Sequence, residues 1–393
     1  MKPFIYLTHD GVLDHIGQSQ IFPYLKIYSR QTKVFLISFE KKENIHKALK
    51  LKNSKECENI HWIILNYHKN IFLKIIDLLN LSIKVIFLIK KYKLSLIHCR
   101  SYFPTLIIYF ISFFFQIKYI FDIRDFWADE GIEIKKYKFI YKFVKKIEGR
   151  MIDKSAHIVC LTNAAKNYIS YNYNIDLSKI TVIPCGTDFD LFNRKKLNKR
   201  RLLKIFRDLK LKNKKVLLYY GSLGENYLIH KMLNLFKYLK SDNNDWIFMF
   251  VINNAHNQLE NILKKNNIQK RDFRILKSSR IDLPYYLYFA DISVFFYRSG
   301  MRSIGCSPTK LADLFAMNIP IITSSNLGDM KYKISLAKNN SLLMDILNRS
   351  KVVGGIKKIL SNKPFVQIRK NSSYYNYRYG TQKYMNIYKS IQI

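Results

Sequence analysis

Residues 182–188, Val-Ile-Pro-Cys-Gly-Thr-Asp, interrupt the chain between two long stretches that follow the same pattern. On both sides, short runs of apolar, β-branched or aromatic residues alternate with longer stretches of helical periodicity, which is typical of a parallel sheet covered by helices. The Pro and Gly mark a turn, and the sequence after Asp188 becomes dense in Lys and Arg. The sequence therefore predicts an α/β protein with two doubly wound parallel-sheet domains in tandem.

Candidate strands lie on both sides of this turn. Before it they are Phe4–Leu7, Lys33–Phe39, Trp62–Leu65, Leu96–Cys99, Tyr119–Ile123, His157–Leu161 and Thr181–Pro184. After it they are Val216–Tyr220, Trp246–Ile252, Phe273–Leu276, Ile292–Phe296 and Ile319–Thr323. The 393 residues exceed what a single core usually organises, so we expect a first domain over residues 1–190 and a second over 191–371. The basic stretch between Asp188 and Lys215 would be the hinge.

The chain is strongly basic, since 67 Lys and Arg residues against 28 Asp and Glu residues give a formal net charge of +39. Such a charge attracts nucleic acid, an anionic membrane surface or a phosphate-bearing substrate. General compositional bias is the alternative, because the basic residues occur in both halves. The sequence contains no recognisable nucleic-acid-binding motif, which argues against nucleic acid as the partner.

The cysteines and the first residues indicate the compartment. The five cysteines are widely separated and lack metal-ligand spacing, and the opening residues lack the apolar length of a signal peptide. We therefore expect reduced thiols and a cytoplasmic location. The apolar segments Ile71–Ile89 and Tyr102–Ile117 are too charged or too short for the roughly 20 residues of a spanning helix. They should form helices on the sheet, or an amphipathic surface that enters lipid at the inner face of the plasma membrane.

The first motif follows the opening strand, with Asp10 and Gly11 and then Gly17 and Gln18 before a helix. A glycine at a strand-to-helix turn lets backbone amides approach a ligand, and a helix N-terminus favours an anion such as phosphate. The alternative is an ordinary turn in which Ser19 caps the helix.

The second motif follows the fifth candidate strand, where residues 121–130 read Phe-Asp-Ile-Arg-Asp-Phe-Trp-Ala-Asp-Glu. Residues just past strand C-termini face the ligand crevice of an open α/β sheet. The charged side chains placed to bind or catalyse there are Arg124, Asp125, Asp129 and Glu130, with His98 and Arg100 on the preceding strand. Structural ion pairs are the alternative interpretation.

The third and fourth motifs lie in the second half. Residues 219–224, Tyr-Tyr-Gly-Ser-Leu-Gly, end a strand, and their two glycines let a phosphate approach the backbone, with a plain turn as the alternative. Residues 306–316 begin Cys-Ser-Pro-Thr-Lys, where Ser307 can cap a helix and leave the amides of Thr309 and Lys310 directed at an anion.

Arg298 and Arg302 add positive charge around this fourth motif, which suits a diphosphate. One turn on, Asp313 can accept hydrogen bonds from a ribose.

At these four motifs together, the sequence resembles a family 4 glycosyltransferase of the GT-B fold, the group 1 type found in surface-polysaccharide (lipopolysaccharide or capsule) biosynthesis. The likeness runs in order over nearly the whole chain. Residues 159–162 and 182–188 support it, and Tyr384–Tyr388 resembles part of the family's C-terminal helix, here about residues 372–393, that returns to the first domain.

The resemblance implies two Rossmann-like domains facing a central cleft, with a glycan or lipid-linked acceptor on the first and a nucleotide-diphosphate sugar on the second. It implies transfer with retention and no cofactor or metal, because the Asp188-Phe189-Asp190 triplet follows the turn that resembles the interdomain crossing. Donor-binding residues would be Gly17, Gln18, Gly221, Ser222, Arg298, Arg302, Ser307, Thr309, Lys310 and Asp313. Catalytic residues would be Arg124, Asp125, Asp129 and Glu130, and acceptor-binding residues Asp10, His98 and Arg100.

The sequence also departs from the family pattern. Gly305 stands where the first of two family glutamates falls, and Asp313 keeps the second acid. Ser222 and Tyr227 replace the usual Arg and Lys, and Arg124 stands where many relatives have a histidine. We interpret these changes as a variant donor site, with a weakened or non-catalytic protein as the alternative. A nucleotide-sugar epimerase of the same architecture and a basic nucleic-acid-binding protein are the rival functions.

Overall fold

The computed structural model describes residues 1–68, 70–133, 138–336, 340–362 and 366–392. The chain divides into two compact units, each built on its own parallel sheet. The first unit comprises Met1–Gly186, Gly300–Ser307 and Tyr377–Ile393, and the second comprises Thr187–Ser299 and Pro308–Asn376. The predicted α/β class with two parallel sheets is therefore confirmed.

The sheet of the first unit has seven strands among the described residues, in the order β3-β2-β1-β4-β5-β6-β7. They are β1 (Phe4–Thr8), β2 (Val34–Glu40), β3 (Ile60–Asn66), β4 (Leu96–Arg100), β5 (Lys118–Asp122), β6 (His157–Cys160) and β7 (Ile180–Val182). All neighbouring pairs are parallel. The order reverses between β1 and β4, the point at which open α/β sheets bind ligands.

The sheet of the second unit has six described strands in the order β10-β9-β8-β11-β12-β13, again all parallel. They are β8 (Lys215–Tyr220), β9 (Trp246–Val251), β10 (Phe273–Leu276), β11 (Ile292–Phe295), β12 (Ile321–Thr323) and β13 (Leu342–Leu343). Each strand predicted from the sequence is present, with ends shifted by one or two residues. Strand β13 was missed, because two residues carry no periodic pattern.

Helices cover the two sheets. In chain order they are α1 (His15–Gln20), α2 (Phe22–Tyr28), α3 (Ile45–Lys52), α4 (Ile71–Tyr92), α5 (Tyr102–Ile111), α6 (Trp127–Glu133), α7 (Lys138–Lys154), α8 (Asn163–Tyr173), α9 (Lys199–Asp208), α10 (Ile229–Asp242), α11 (His256–Lys265), α12 (Leu283–Leu287), α13 (Met301–Gly305), α14 (Thr309–Ala316), α15 (Met330–Leu336), α16 (Arg349–Ser361), α17 (Val366–Asn371) and α18 (Tyr377–Gln392). In the described part of the chain, no helix has both the length and the apolar character to cross a membrane.

Strands β1 and β2 of the first sheet are buried on both faces, which explains their nearly continuous apolar sequences. Because successive side chains of a strand point to opposite faces, β1 contributes Ile5 and Leu7 to one core layer and Phe4 to the other. Helices α4 and α5 cover the first layer. Helix α18 packs with α2 on the second layer, where the ring of Tyr388 lies 4.5 Å from that of Phe4.

Candidate active site

A buried charge cluster lies where β1, β4 and β5 end in the first unit. Asp122, at the end of β5, has no exposed side-chain surface. Arg124 Nη2 donates to Asp122 Oδ2 at 2.5 Å, and Arg100 Nη1 lies 3.9 Å from the same oxygen. Arg100 Nε also contacts Asp10 Oδ2 at 3.4 Å. Burial alone would raise the pKa of Asp122, but the neighbouring cations outweigh it and hold the pKa well below its usual value. Asp122 therefore stays ionised and fixes two arginines.

Two tyrosines of α18 complete this cluster. His98 Nε2 lies 3.1 Å from Asp122 Oδ2, and His98 Nδ1 lies 2.7 Å from the hydroxyl of Tyr388. Burial lowers the pKa of His98, so the neutral ring donates to the carboxylate and accepts from the tyrosine. The Tyr384 hydroxyl accepts from Arg124 Nη2 at 2.8 Å and donates to Asp122 Oδ2 at 3.2 Å. The structure thus brings together Arg124 with the three predicted acceptor-binding residues Asp10, His98 and Arg100.

The three predicted catalytic acids have different surroundings. Asp129 accepts from Lys145 of α7 and from the Tyr168 hydroxyl at 2.8 Å. Glu130 accepts from Arg302 Nη1 at 2.9 Å. Asp125 Oδ1 is buried and has no hydrogen-bond partner among the described residues. Burial raises the pKa of Asp125, so this carboxyl holds a proton more readily than a carboxyl in water does.

Residues 300–307 belong to the first unit, where α13 packs against α6 and α8. Besides the Arg302–Glu130 ion pair, the Thr162 hydroxyl donates to the carbonyl of Ile304 at 2.7 Å. A Cβ atom on Gly305 would lie 3.2 Å from the Phe126 ring. The position of the missing family glutamate is therefore packed against an aromatic side chain. Ser307, which ends this segment, is buried.

The loop after β1 is held by a residue that the sequence analysis missed. Glu40, at the end of β2, accepts from the amide of Val12 at 2.6 Å and from the Ser38 hydroxyl at 2.9 Å. A Cβ on Gly17 would lie 2.0 Å from the carbonyl oxygen of Gly11, so this glycine is required by backbone packing. Gln18 is exposed, and its Nε2 donates to the carbonyl of Leu13 at 2.9 Å. An apolar strand that ends in a lone acid was the available signal for Glu40.

The helix that follows this loop is short, and Ser19 does not occupy its N-cap position. Helix α1 covers six residues with Asp14 at the N-cap position. The Ser19 hydroxyl donates to the carbonyl of His15 at 2.7 Å within the helix. Ser19 is therefore not the cap, because it lies near the end of the helix rather than before it.

In the second unit, Lys310 lies beside the glycine turn after β8. Gly221 has a φ of +118°, which favours glycine, and a Cβ there would lie 3.1 Å from Lys310 Nζ. Lys310 is 5% exposed, and its Nζ lies 3.8 Å from the centroid of the Tyr227 ring and 4.5 Å from that of Tyr219. Aromatic faces attract a cation, so the ammonium group is held at the turn. Ser222, next to the glycine, is exposed.

Asp313 is engaged by protein side chains. Arg280 Nη1 and Nη2 donate to its two oxygens at 2.5 Å and 2.8 Å, and the Tyr220 hydroxyl donates at 2.8 Å. Thr187 Oγ1 also donates to Asp313 Oδ1. A ribose hydroxyl that donates to Asp313 would therefore compete for its oxygens with the side chains of Arg280, Tyr220 and Thr187. Arg280 was not identified from the sequence, because no spacing rule links it to an acid 33 residues later.

The remaining predicted donor residues lie at the carboxyl edge of the second sheet. Arg298 is exposed, and its amide donates to the carbonyl of Asn226 at 2.8 Å, which ties the segment after β11 to the loop after β8. Helix α14 begins at Thr309 with Pro308 at the N-cap position and no side-chain cap. The N-cap position therefore falls on Pro308 rather than on Ser307, and the helix starts one residue later than expected.

The Asp188-Phe189-Asp190 triplet forms a turn. Asp188 Oδ1 accepts from the amides of Asp190 and Leu191 at 2.8 Å and 3.1 Å. Asp190 pairs with Lys196 at 2.7 Å. Within the described ranges, no group of three or more His, Cys, Asp or Glu side chains is arranged to hold a metal ion.

Two units with this strand order, each carrying polar loops where the order reverses, define the GT-B class. The chain is similar to the structure of a glycosyltransferase from Rickettsia africae ESF-5. The match covers 99% of this chain and 98% of the other, at 19% identity and a TM-score of 0.71. The chain similarly matches Anabaena HepE in complex with UDP and glucose (11% identity, 99% of both chains, TM-score 0.72). A third match is WaaG, a glycosyltransferase involved in lipopolysaccharide biosynthesis (11% identity, 96% and 95% of the chains, TM-score 0.65).

Family models give the assignment. Residues 33–191 match the model for Glycosyltransferase Family 4, and residues 203–379 match that for Glycosyl transferases group 1. Together these two matches show that the chain belongs to the family 4, group 1 glycosyltransferases. No curated protein sequence matched the chain.

Proposed function

We propose that the protein transfers a sugar, with retention of configuration, from a nucleotide-diphosphate sugar to a glycan or lipid-linked acceptor. The observation that carries this proposal is the buried Lys310 ammonium next to the Gly221 turn at the carboxyl end of β8. A fixed cation beside an open backbone turn suits a diphosphate. The UDP found with the structurally similar HepE supports the same class of donor.

The second unit would bind the leaving group. Negative charge grows on the diphosphate as the glycosidic bond breaks, so a preorganised cation stabilises the transition state more than the ground state. Lys310 is preorganised by its aromatic neighbours, whereas the exposed Arg298 would order on binding. Ser222 and Thr309 would add hydrogen bonds, and Asp313 would reach the ribose through its shared carboxylate. Gly17, Gln18, Arg302 and Ser307, which lie in the first unit, are also proposed to contact the donor.

The first unit would bind the acceptor and assist the chemistry. Asp122 and Tyr384 set the orientation of Arg124, which is 13% exposed and would meet a phosphate or an acceptor oxygen. Asp125 is the proposed proton carrier, because burial raises the pKa of its carboxyl group. Asp10, with 42% of its side chain exposed, is the acceptor contact, and the buried His98 and Arg100 support it. Asp129 and Glu130, which pair with Lys145 and Arg302, are also proposed as catalytic residues.

The cellular role is proposed as cell-surface polysaccharide synthesis at the cytoplasmic face of the plasma membrane. The net charge of +39 favours contact with anionic lipid, and the structural likeness to WaaG is consistent with such a role. A nucleic-acid-binding role rests on the charge alone. We propose that no metal or cofactor takes part.

A ligand screen followed by product analysis tests the function. The expected result is that one nucleoside diphosphate raises the melting temperature more than its monophosphate, because binding stabilises the folded state by mass action. Incubation of the matching nucleotide sugar with glycan or lipid-linked acceptors should then release the nucleoside diphosphate and form a new glycoside. Conversion of the donor alone into an isomeric sugar would instead identify an epimerase. A salt-dependent shift of nucleic acid that survives loss of Lys310, without any diphosphate binding, would contradict the proposal.

A further inference from the structure

An apolar surface covers the outer side of α4 and the end of α5. The large side chains exposed on α4 are Leu73, Ile75, Ile76, Leu79, Ile83 and Phe87, with exposed fractions of 39–62%. Phe110, Phe113 and Phe114, at the end of α5 and just after it, are 53%, 58% and 82% exposed. The two helices pack against each other, and we name these exposed side chains together the α4–α5 face.

The spacing of these residues shows that the surface is built into the helix. Ile76, Leu79, Ile83 and Phe87 follow a three- and four-residue spacing, which places them on one side of α4. The opposite side of α4 is buried in the core of the first unit. Proteins that remain free in water rarely expose so many large apolar side chains along one helix face. The α4–α5 face is therefore suited to an apolar partner.

The charges around the α4–α5 face indicate which kind of apolar partner it fits. Between Asn59 and Phe121 the single acid in the sequence is Asp77, which is 2% exposed and bonds to His68. Lys84, Lys90 and Lys91 are exposed on α4. Lys91 Nζ lies 5.2 Å from the Phe87 ring, and Lys154 Nζ lies 3.3 Å from the Phe113 ring. Lysines thus border the apolar side chains, and the stretch from Asn59 to Phe121 contributes no exposed acid to this border.

We propose that the α4–α5 face docks on an anionic lipid bilayer, with α4 lying along the interface and its apolar side chains in the acyl region. Lysine stems that lie along apolar surface leave their ammonium groups at headgroup level, where anionic phosphates attract them. A second copy of this chain is a poor occupant, because two lysine-bordered faces of a chain with a charge of +39 repel each other. The inference extends the proposed membrane association and does not depend on the transferase activity.

The orientation of α4 links this face to the candidate site. In a parallel sheet the helix after each strand starts at the carboxyl edge, and α4 begins five residues after the end of β3. The Leu73 end of the α4–α5 face therefore lies toward the same edge of the first sheet as Asp10, Arg100 and Asp122. A lipid-linked acceptor held in the bilayer would reach this edge without leaving the interface.

Vesicle cosedimentation with paired variants tests the proposal. Leu79→Asn combined with Ile83→Asn removes the centre of the face without changing charge, and Leu203→Asn is the matched control, because Leu203 is also exposed but lies on α9 of the second unit. On vesicles of phosphatidylcholine and phosphatidylglycerol near physiological salt, we expect the double variant to bind about ten-fold more weakly than the wild type and the control to bind normally.

A second readout does not depend on those variants folding. Phe114→Trp places an indole at the most exposed position of the face, and lipids brominated on their acyl chains should quench its added emission. Equal binding by the double variant and the wild type, or no quenching of the new indole, would overturn the proposal. A wild-type dimer that the double variant abolishes would do the same. Transfer to a water-soluble acceptor should be unchanged in the double variant, so a failure of docking and a failure of the proposed function are distinguishable.

Discussion

Arg280 meets the carboxylate of Asp313 with both terminal nitrogens, at 2.5 Å and 2.8 Å, inside the second unit. Asp313 is 1% exposed, so removing the cation leaves a buried charge with hydroxyl donors alone. We expect Arg280→Met to lower the free energy of unfolding by about 3 kcal/mol, measured by urea titration. Arg201→Met is the control, because its partner Asp282 is 36% exposed, and should cost at most about 1 kcal/mol.

The double variant Arg280→Met with Asp313→Asn extends this experiment. It removes both charges, so its loss of stability should be smaller than the sum of the two single losses. Equal losses for Arg280→Met and Arg201→Met would show that the buried pair is not stabilising in the way its geometry indicates.

Replacing Lys310 tests the diphosphate site. Lys310→Met keeps the packing against the tyrosine rings but removes the charge, and should weaken nucleoside diphosphate binding about 10- to 100-fold by calorimetry. Lys240→Met is the matched control, since Lys240 is also partly buried but pairs with Asp272 near the opposite edge of the same sheet. An unchanged dissociation constant in the Lys310 variant would remove Lys310 from the site.

Arg298 allows a similar comparison between two exposed arginines. Arg298→Ala should weaken diphosphate binding several-fold, because the side chain follows β11 at the carboxyl edge of the sheet. Arg271→Ala, just before β10 at the opposite edge, should leave binding unchanged. Parallel losses in both variants would indicate a general effect of net charge.

Arg124 should contribute mainly in the transition state. Arg124→Ala is expected to reduce turnover far more than nucleotide affinity, and Arg124→Lys should restore little, because lysine lacks the planar guanidinium. Tyr384→Phe removes one hydrogen bond to the guanidinium and should give a smaller loss in kcat. If Arg124→Ala melts earlier but keeps normal turnover in the cold, Arg124 is a structural partner of Asp122.

The pH dependence of stability should report on Asp122. Its pKa is lower in the folded state than in the unfolded chain, so its contribution is complete above the ordinary value of about 4 and is lost as the pH falls through the folded pKa. The stability gap between the wild type and Asp122→Asn should therefore be largest near neutral pH and shrink below about pH 4. Asp245→Asn, at a half-exposed ion pair, should show a small gap throughout. A gap that widens in acid would contradict this sign.

The sequence predicted the central strands well because strands such as β1 and β9 are buried on both faces, which produces apolar runs. It also placed Arg124, His98 and Arg100 at one sheet edge, since strand ends in a parallel sheet coincide. It did not identify the role of Asp122, because a carboxylate that ends an apolar strand shows its importance only through its partners. Those partners include Tyr384, 262 residues away, and no local pattern encodes such a contact.

The position of α18 in the chain has a consequence for biosynthesis. The first and longest segment of the first unit ends at Gly186, but Tyr384 and Tyr388, in its last segment, complete its charge cluster and cover one layer of its core. At ribosomal speeds of roughly 5–20 residues per second, about 10–40 s separate the emergence of these two segments. During that interval, Arg124 and the apolar surface over β1 and β4 are not yet covered by α18. A holding chaperone therefore has a defined surface to protect while the second unit is translated.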